Sequence, residues 1–243
     1  MKFVLPDQLP KDVTALDGLR TQAGLEIAVF KARHAASHAF SSGDVARFEY
    51  LLSGRDKIDA VNSSRIACHE AGHSVVAVLI GGQVAAAEVF PAGVTDRDGK
   101  NGYCRYVPGN LAVAQHEHLI AAAGAAAEAV WEHGPRATHQ QAQERLTGSH
   151  DAEFLRRRAL TAGAAPSVSP TSEVLPLVVR CWPAIESLAA QLDERGSITH
   201  TDVTAALGLS SDQNRHGFEL NNIRGGLRPI PDTQGARALT AAR

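Results

Sequence analysis

The 243-residue chain contains no uncharged run of about 18 apolar residues, so no membrane-spanning helix is predicted. Its longest candidate, Ser74 to Val84, reads more simply as a buried helix. The opening Met1-Lys2-Phe3-Val4-Leu5-Pro6-Asp7 has too short an apolar run for a signal peptide. Charge of one sign is also lacking. A net charge of -2 removes the electrostatic case for binding nucleic acid or an anionic membrane. Cysteine is scarce: Cys68, Cys104 and Cys181 are an odd number without C-x-x-C spacing, which argues against a disulfide framework and a cysteine-type zinc site. A reducing, cytoplasmic compartment is expected. The pattern G-x-x-x-x-G-K-[ST] is missing as well, so no use of ATP is expected.

What is present is the composition of a globular protein, 44% hydrophobic and 21% charged, long enough for one main core with appendages. Its most informative stretch is Cys68-His69-Glu70-Ala71-Gly72-His73. On a helix, the i, i+4 spacing puts the His69 and His73 imidazoles on one face a turn apart, where both can bind one Zn²⁺. Glu70 then lies beside the metal, placed for a general base that takes a proton from the attacking water and hands it to a leaving amine. The flanking residues predict the helix: Ser63 or Ser64 as cap, Ile66, Val75, Val76, Val78, Leu79 and Ile80 as apolar side, and Gly81-Gly82 as stop. The chain's own His and Glu frequencies give about 0.03 chance matches to H-E-x-x-H, so a third ligand is needed before the pattern carries chemistry.

Helical spacing before the motif predicts an N-terminal pair, Asp12 to Ala36 and Asp44 to Ala60, separated by the turn Ser41-Ser42-Gly43-Asp44. After it, Ala85 to Phe90 and Tyr103 to Val107 read as a hairpin with a long loop. An extended peptide could lie along such a sheet edge. A helix follows from Leu111 to His133. Its small-residue centre, Ala121 to Ala127, would let the motif helix pack closely. Beyond the loop Ala162 to Pro170, one long helix is predicted from Ser172 to Arg195 and a short one from Thr201 to Leu207. Residues 210 to 243 have little periodic apolar content and read as a flexible tail.

The third ligand has several candidates. Glu128 lies on the helix after the hairpin, and His116, His118, His133 and His139 are others. Asp151 follows the cap Ser149 into the first turn of another helix, where the positive dipole end keeps a carboxylate ionised for ligation or simply stabilises the helix start.

Taken together, His69-Glu70-Ala71-Gly72-His73, Gly124-Ala125-Ala126-Ala127-Glu128 and Gly148-Ser149-His150-Asp151 resemble the peptidase domain of the FtsH-type AAA+ zinc proteases. The first is a letter-for-letter match to that family's H-E-A-G-H. The second matches its small-residue helix in part, and the third matches its ligand turn with one residue fewer. The resemblance covers about residues 61 to 160, and more weakly 188 to 207. It implies that Asp151 completes the zinc site with His69 and His73, that Glu70 is catalytic, and that the fold is mainly α with a small β hairpin or sheet, a zincin-like metallopeptidase domain. The expected organisation is an N-terminal helical pair (1–60), the peptidase domain (61–209) and a C-terminal tail (210–243). The family's membrane segments and ATPase have no counterpart here, so the expected activity is ATP-independent, on peptides or unfolded and flexible protein segments. No nucleic acid or membrane partner is implied; oligomers are allowed, but a ring is not implied. Two rivals share the residues: a catalytically silent, zinc-stabilised interaction module, and hydrolysis of a non-peptide amide.

Overall fold

The computed structural model describes residues 3–34, 42–91, 94–96, 100–162 and 169–231. The chain forms two compact units, Met1–Ser63 and Ser64–Arg243, a division three residues beyond the expected boundary.

In the first unit, helix α1 (Val13–His34) begins after Asp12, whose Oδ1 accepts a hydrogen bond from the Ala15 amide at 2.8 Å. Leu16, Ala23 and Ile27 recur at helical spacing on α1 and are buried with Leu51 and Ile58 of helix α2 (Ser42–Leu79) and with Phe3. The Phe3 ring lies over Gly54, where an added Cβ would stand 2.9 Å from its Cε1. Arg47 ties the layer together, reaching Glu26 Oε2 at 2.6 Å and the Phe3 carbonyl at 2.9 Å. The expected helical pair is thus present, although its connection, residues 35–41, lies outside the described residues.

The expectation of a separate motif helix capped by Ser63 or Ser64 is corrected. Helix α2 runs unbroken from Ser42 to Leu79, because no proline interrupts its ladder between the helical pair and the motif. Ser64 caps nothing; its hydroxyl donates to Asp193 Oδ2 at 2.6 Å.

In the second unit the motif half of α2 is the central element. Cys68, Ala71, Val75, Val76 and Ala77 are all completely buried. Helix α3 (Leu111–His133) packs against it through the predicted small residues. A Cβ at Gly72 would meet the Ala127 Cβ at 2.7 Å and the Ala123 carbonyl oxygen at 2.8 Å, so the two backbones touch where no larger residue would fit. Strands β1 (Val84–Val89) and β2 (Gly102–Tyr106) form the expected antiparallel hairpin, pairing Glu88 with Tyr103 and Val89 with Gly102. A third strand, β3 (Ser197–Ile198), unforeseen in the sequence, pairs antiparallel with Ala87 and Glu88 and gives the order β2-β1-β3. The fold is therefore mainly helical with a small antiparallel sheet.

Helices α4 (His139–Leu146) and α5 (His150–Ala162) follow α3. The single helix expected from Ser172 to Arg195 is two, α6 (Pro170–Arg180) and α7 (Trp182–Arg195), broken at Cys181. Pro183 supplies the reason: it has no amide hydrogen, and its ring excludes the helical carbonyl four residues back. Gly196, at φ 74°, ends α7 and turns the chain into β3, and α8 (His200–Ala206) follows. The flexible-tail expectation is corrected up to residue 231. Helix α9 (His216–Arg224) buries Leu220 and Ile223 in the main core, and Glu219 accepts from the Ser210 amide and pairs with Arg228, each at 2.9 Å. Two apolar positions one turn apart are too weak a periodic signal to read from sequence, yet they suffice to dock a nine-residue helix. Residues 232–243 lie outside the described residues, as do 163–168 of the expected linker. Among the described residues no helix is long and apolar enough to cross a membrane.

Candidate metal centre

The one-turn spacing on α2 brings the His69 and His73 rings edge to face, with centroids 4.5 Å apart and planes at 85°. Each ring is held from its Nδ1 side. His73 Nδ1 lies 2.6 Å from the Ile120 carbonyl oxygen of α3, and His69 Nδ1 lies 2.7 Å from Glu128 Oε1. A carbonyl only accepts, so His73 donates from Nδ1 and keeps its lone pair on Nε2; an ionised Glu128 assigns the same tautomer to His69. Glu128 is itself anchored by Arg65, with Nη1 at 2.7 Å from Oε2. Burial would raise the Glu128 carboxyl, but His69 and Arg65 hold it below the usual range. The third element is room: a Cβ on Gly124 would stand 2.5 Å from His69 Nε2. The small-residue run of α3 therefore makes space for a ligand ring as well as for the helix behind it.

Asp151 arrives from α5. Gly148 takes a left-handed φ of +81°, and the Ser149 hydroxyl accepts from the Ala152 amide at 3.1 Å and donates to the Leu146 carbonyl at 2.7 Å. This turn sets Asp151 Oδ2 at 3.0 Å from His69 Nε2 and 3.4 Å from His73 Nε2, while the two Nε2 atoms are 2.9 Å apart. His69, His73 and Asp151 thus form a cluster that can hold a metal ion, all ligand atoms lying within 4.8 Å of one another. With both rings neutral and both Nδ1 protons directed outward, three electron-pair donors converge on one point with no hydrogen between them. Such a set repels itself unless a cation sits in it. Burial opposes a charged His69, yet its bonds to Asp151 and Glu128 raise its pKa well above the ordinary imidazole value. Burial likewise opposes an ionised Asp151, but His73 and His69 hold its carboxyl well below the usual range. The site draws positive charge, and a divalent ion fits its donors.

Of the alternative third ligands, Glu128 faces His69 from the side of the ring opposite Asp151. His116 and His118 stack on each other at 6.5 Å, and His133 Nε2 is 3.7 Å from Glu132. His139, on α4, is exposed. None of them belongs to the cluster.

Glu70 is buried beside the cluster, against the backbone of β2. A Cβ at Gly102 would lie 3.1 Å from Glu70 Cγ and 3.2 Å from Oε1, so the glycine leaves the carboxylate its place. Burial raises the Glu70 carboxyl, more than His69 and His73 lower it. Cys104 also lines the cleft, and its surroundings disfavour the thiolate. Burial pushes its thiol up to about 12, and its Sγ lies 3.3 Å from the Ser74 hydroxyl.

A cleft of about 680 Å³ opens over these residues, with Ile66, Val113, Ile120 and Phe154 among its apolar walls. Strand β2 is an edge of the sheet. The Phe90 amide donates to the Asn101 carbonyl and the Val89 amide to the Gly196 carbonyl, so even-numbered β1 residues face β2 and odd-numbered ones face β3. Tyr103, opposite Glu88, spends its main-chain groups on β1, whereas those of Gly102 and Cys104 point to the open edge beside Glu70. Sequence reasoning did not find the support given by Arg65, Glu128 and Gly124. The available signal was one acid and one glycine in an otherwise alanine-rich buried helix.

No protein-family model matches this chain, and no curated protein does.

Proposed function

We propose that this protein is an ATP-independent zinc metallopeptidase, resembling the FtsH-type peptidase domain, that hydrolyses peptide bonds in peptides or in unfolded and flexible protein segments. The observation that carries the reading is a buried carboxylate, Glu70, beside a three-residue metal cluster that faces a cleft along a free strand edge. Two imidazoles and one carboxylate are a donor set suited to zinc, and three protein ligands leave a position for water or substrate. His69, His73 and Asp151 would hold the zinc, which when bound would supply Lewis acidity for the scissile carbonyl and the attacking water. The chain's own residues do the rest. Glu70 takes the proton from the attacking water as the C–O bond forms, and delivers it to the amine nitrogen as the C–N bond breaks. Glu128 and the Ile120 carbonyl keep the two imidazoles oriented. The Gly102 and Cys104 main-chain groups offer an extended substrate strand hydrogen bonds in register with Glu70.

A silent, zinc-clamped interaction module is the second reading, but a structural clamp has no use for a buried base. Hydrolysis of a non-peptide amide would employ the same residues, and a substrate screen separates it. The expected partners are peptides or proteins and not nucleic acid or membrane, in the reducing cytoplasm that three cysteines outside any disulfide suit.

The test is casein hydrolysis by the zinc-loaded protein and by Glu70→Gln. The variant keeps zinc and melting temperature while its rate falls by about 10²- to 10⁴-fold, and ATP changes neither protein's rate. Equal cleavage by both would assign the activity elsewhere. If neither cleaves anything while both bind one partner, the silent module is the better reading.

A further inference from the structure

We propose that Tyr106 is a second catalytic residue, whose phenolic O–H donates a hydrogen bond to the substrate carbonyl oxygen as that oxygen gains negative charge. This rests on the peptidase reading above and supplies what that reading leaves open, a protein donor for the developing charge.

The placement follows from the two-residue period of β2. Gly102 lies against Glu70, and Cys104 lies against Ser74 one helical turn further on. Tyr106 follows on the same face of the strand, toward α2. Tyr103 belongs to the other face. Tyr103 also lines the cleft, but its ring packs on Phe90 at 5.7 Å, its hydroxyl accepts from Arg105 Nη2 at 3.0 Å, and its phenol interacts chiefly with Glu88. Tyr106 lines both the main cleft and a smaller adjoining cavity of about 330 Å³, so its half-buried ring is part of the wall the two share. Its phenol lies within electrostatic reach of both Glu70 and Asp151, the proposed base and a metal ligand.

The hydroxyl is also available. It interacts with the Cys104 thiol, whose sulfur is a weak acceptor that an anionic oxygen would readily displace. Two other donors that line the cleft are committed: Arg65 to Glu128, and Ser149 to the Leu146 carbonyl. Lys100, which lines the cleft and acts on Glu70, is the rival donor and requires its own variant.

Tyr106→Phe keeps the ring and removes only the O–H. In the zinc-loaded protein we expect kcat for a peptide to fall about 10²- to 10³-fold, with KM, zinc content and melting temperature nearly unchanged. Affinity for a phosphinic peptide, a tetrahedral anion mimicking the charged state, should fall by a similar factor. Affinity for the uncleaved parent peptide, measured with Glu70→Gln present, should not change. Wild-type kcat and wild-type phosphinic affinity in Tyr106→Phe would overturn the proposal. So would a raised KM at unchanged kcat, which would make the residue a packing surface for substrate. If Lys100→Met loses kcat while Tyr106→Phe does not, the donor is Lys100. If wild-type protein neither cleaves peptides nor binds the phosphinic peptide, the peptidase reading itself fails; that result differs from all the others.

Discussion

Glu128 Oε1 stands 2.7 Å from His69 Nδ1, on the side of the ring turned away from Asp151. One imidazole therefore has a carboxylate at each nitrogen, and the two acids have different work. Asp151 belongs to the cluster that can hold a metal ion, whereas Glu128 orients the ring and is paired with Arg65.

Removing each acid should separate these roles. Asp151→Ala deletes a ligand and is expected to empty the site under dialysis. Glu128→Gln keeps a hydrogen-bond acceptor and should lower zinc affinity by about 10- to 100-fold, the effect usual for an outer partner of a metal-bound histidine. Metal analysis and competition with a chromogenic chelator measure both. Glu128→Gln emptying the site while Asp151→Ala stays loaded would invert the assignment.

Gly124→Ala tests the space behind His69. In an ordinary helix this change stabilises by about 1 kcal/mol. Here the new methyl would stand 2.5 Å from Nε2 and 2.6 Å from Cε1 of the ring, so either the ring or α3 must move. The expected outcome is a loss of about 1–3 kcal/mol in chemical denaturation, together with weakened zinc binding. A variant more stable than wild type that binds zinc normally would refute the close contact.

Zinc binding should release a proton in a range where an ordinary imidazole is already neutral. Without metal, the Asp151 and Glu128 bonds raise the His69 pKa well above the usual value despite burial. Below that raised pKa the metal displaces a proton, so affinity falls as pH falls; above it, no proton is released from His69. Calorimetry in buffers of different ionisation enthalpy counts the protons. Asp151→Asn should shift the release to lower pH.

Ile223→Ala tests whether α9 belongs to the core. Ile223 is fully buried, and truncating such a side chain costs about 2–5 kcal/mol. Denaturant unfolding should show that loss, whereas Phe218→Ala, at an exposed position of the same helix, should change stability little.

How much of this was legible in the sequence depended on how local each signal was. The i, i+4 spacing of His69 and His73 and the position of Glu70 follow from 3.6 residues per turn, and the motif helix forms as its pattern requires. The Leu111 to His133 helix and the hairpin were likewise readable, since periodicity and turn residues act within one segment. Asp151 was only partly legible. Its cap and helix start are local, but its meeting with two histidines some 80 positions earlier was expected from resemblance, not from spacing. The rest was decided by contacts between distant segments. Glu128 and Asp151 were both acids within reach of the motif on paper, and only the packing of α3 and α5 puts one at Nδ1 and the other between the two Nε2 atoms. Strand β3 and helix α9 are too short to be stable alone and exist because a sheet edge and an apolar groove await them. The sequence by itself determined which residues could carry the chemistry, because helix geometry is set by neighbours along the chain. The tertiary structure decided which of them do so together, because burial, metal-ligand convergence and the free edge of β2 arise only when segments far apart in sequence share one core.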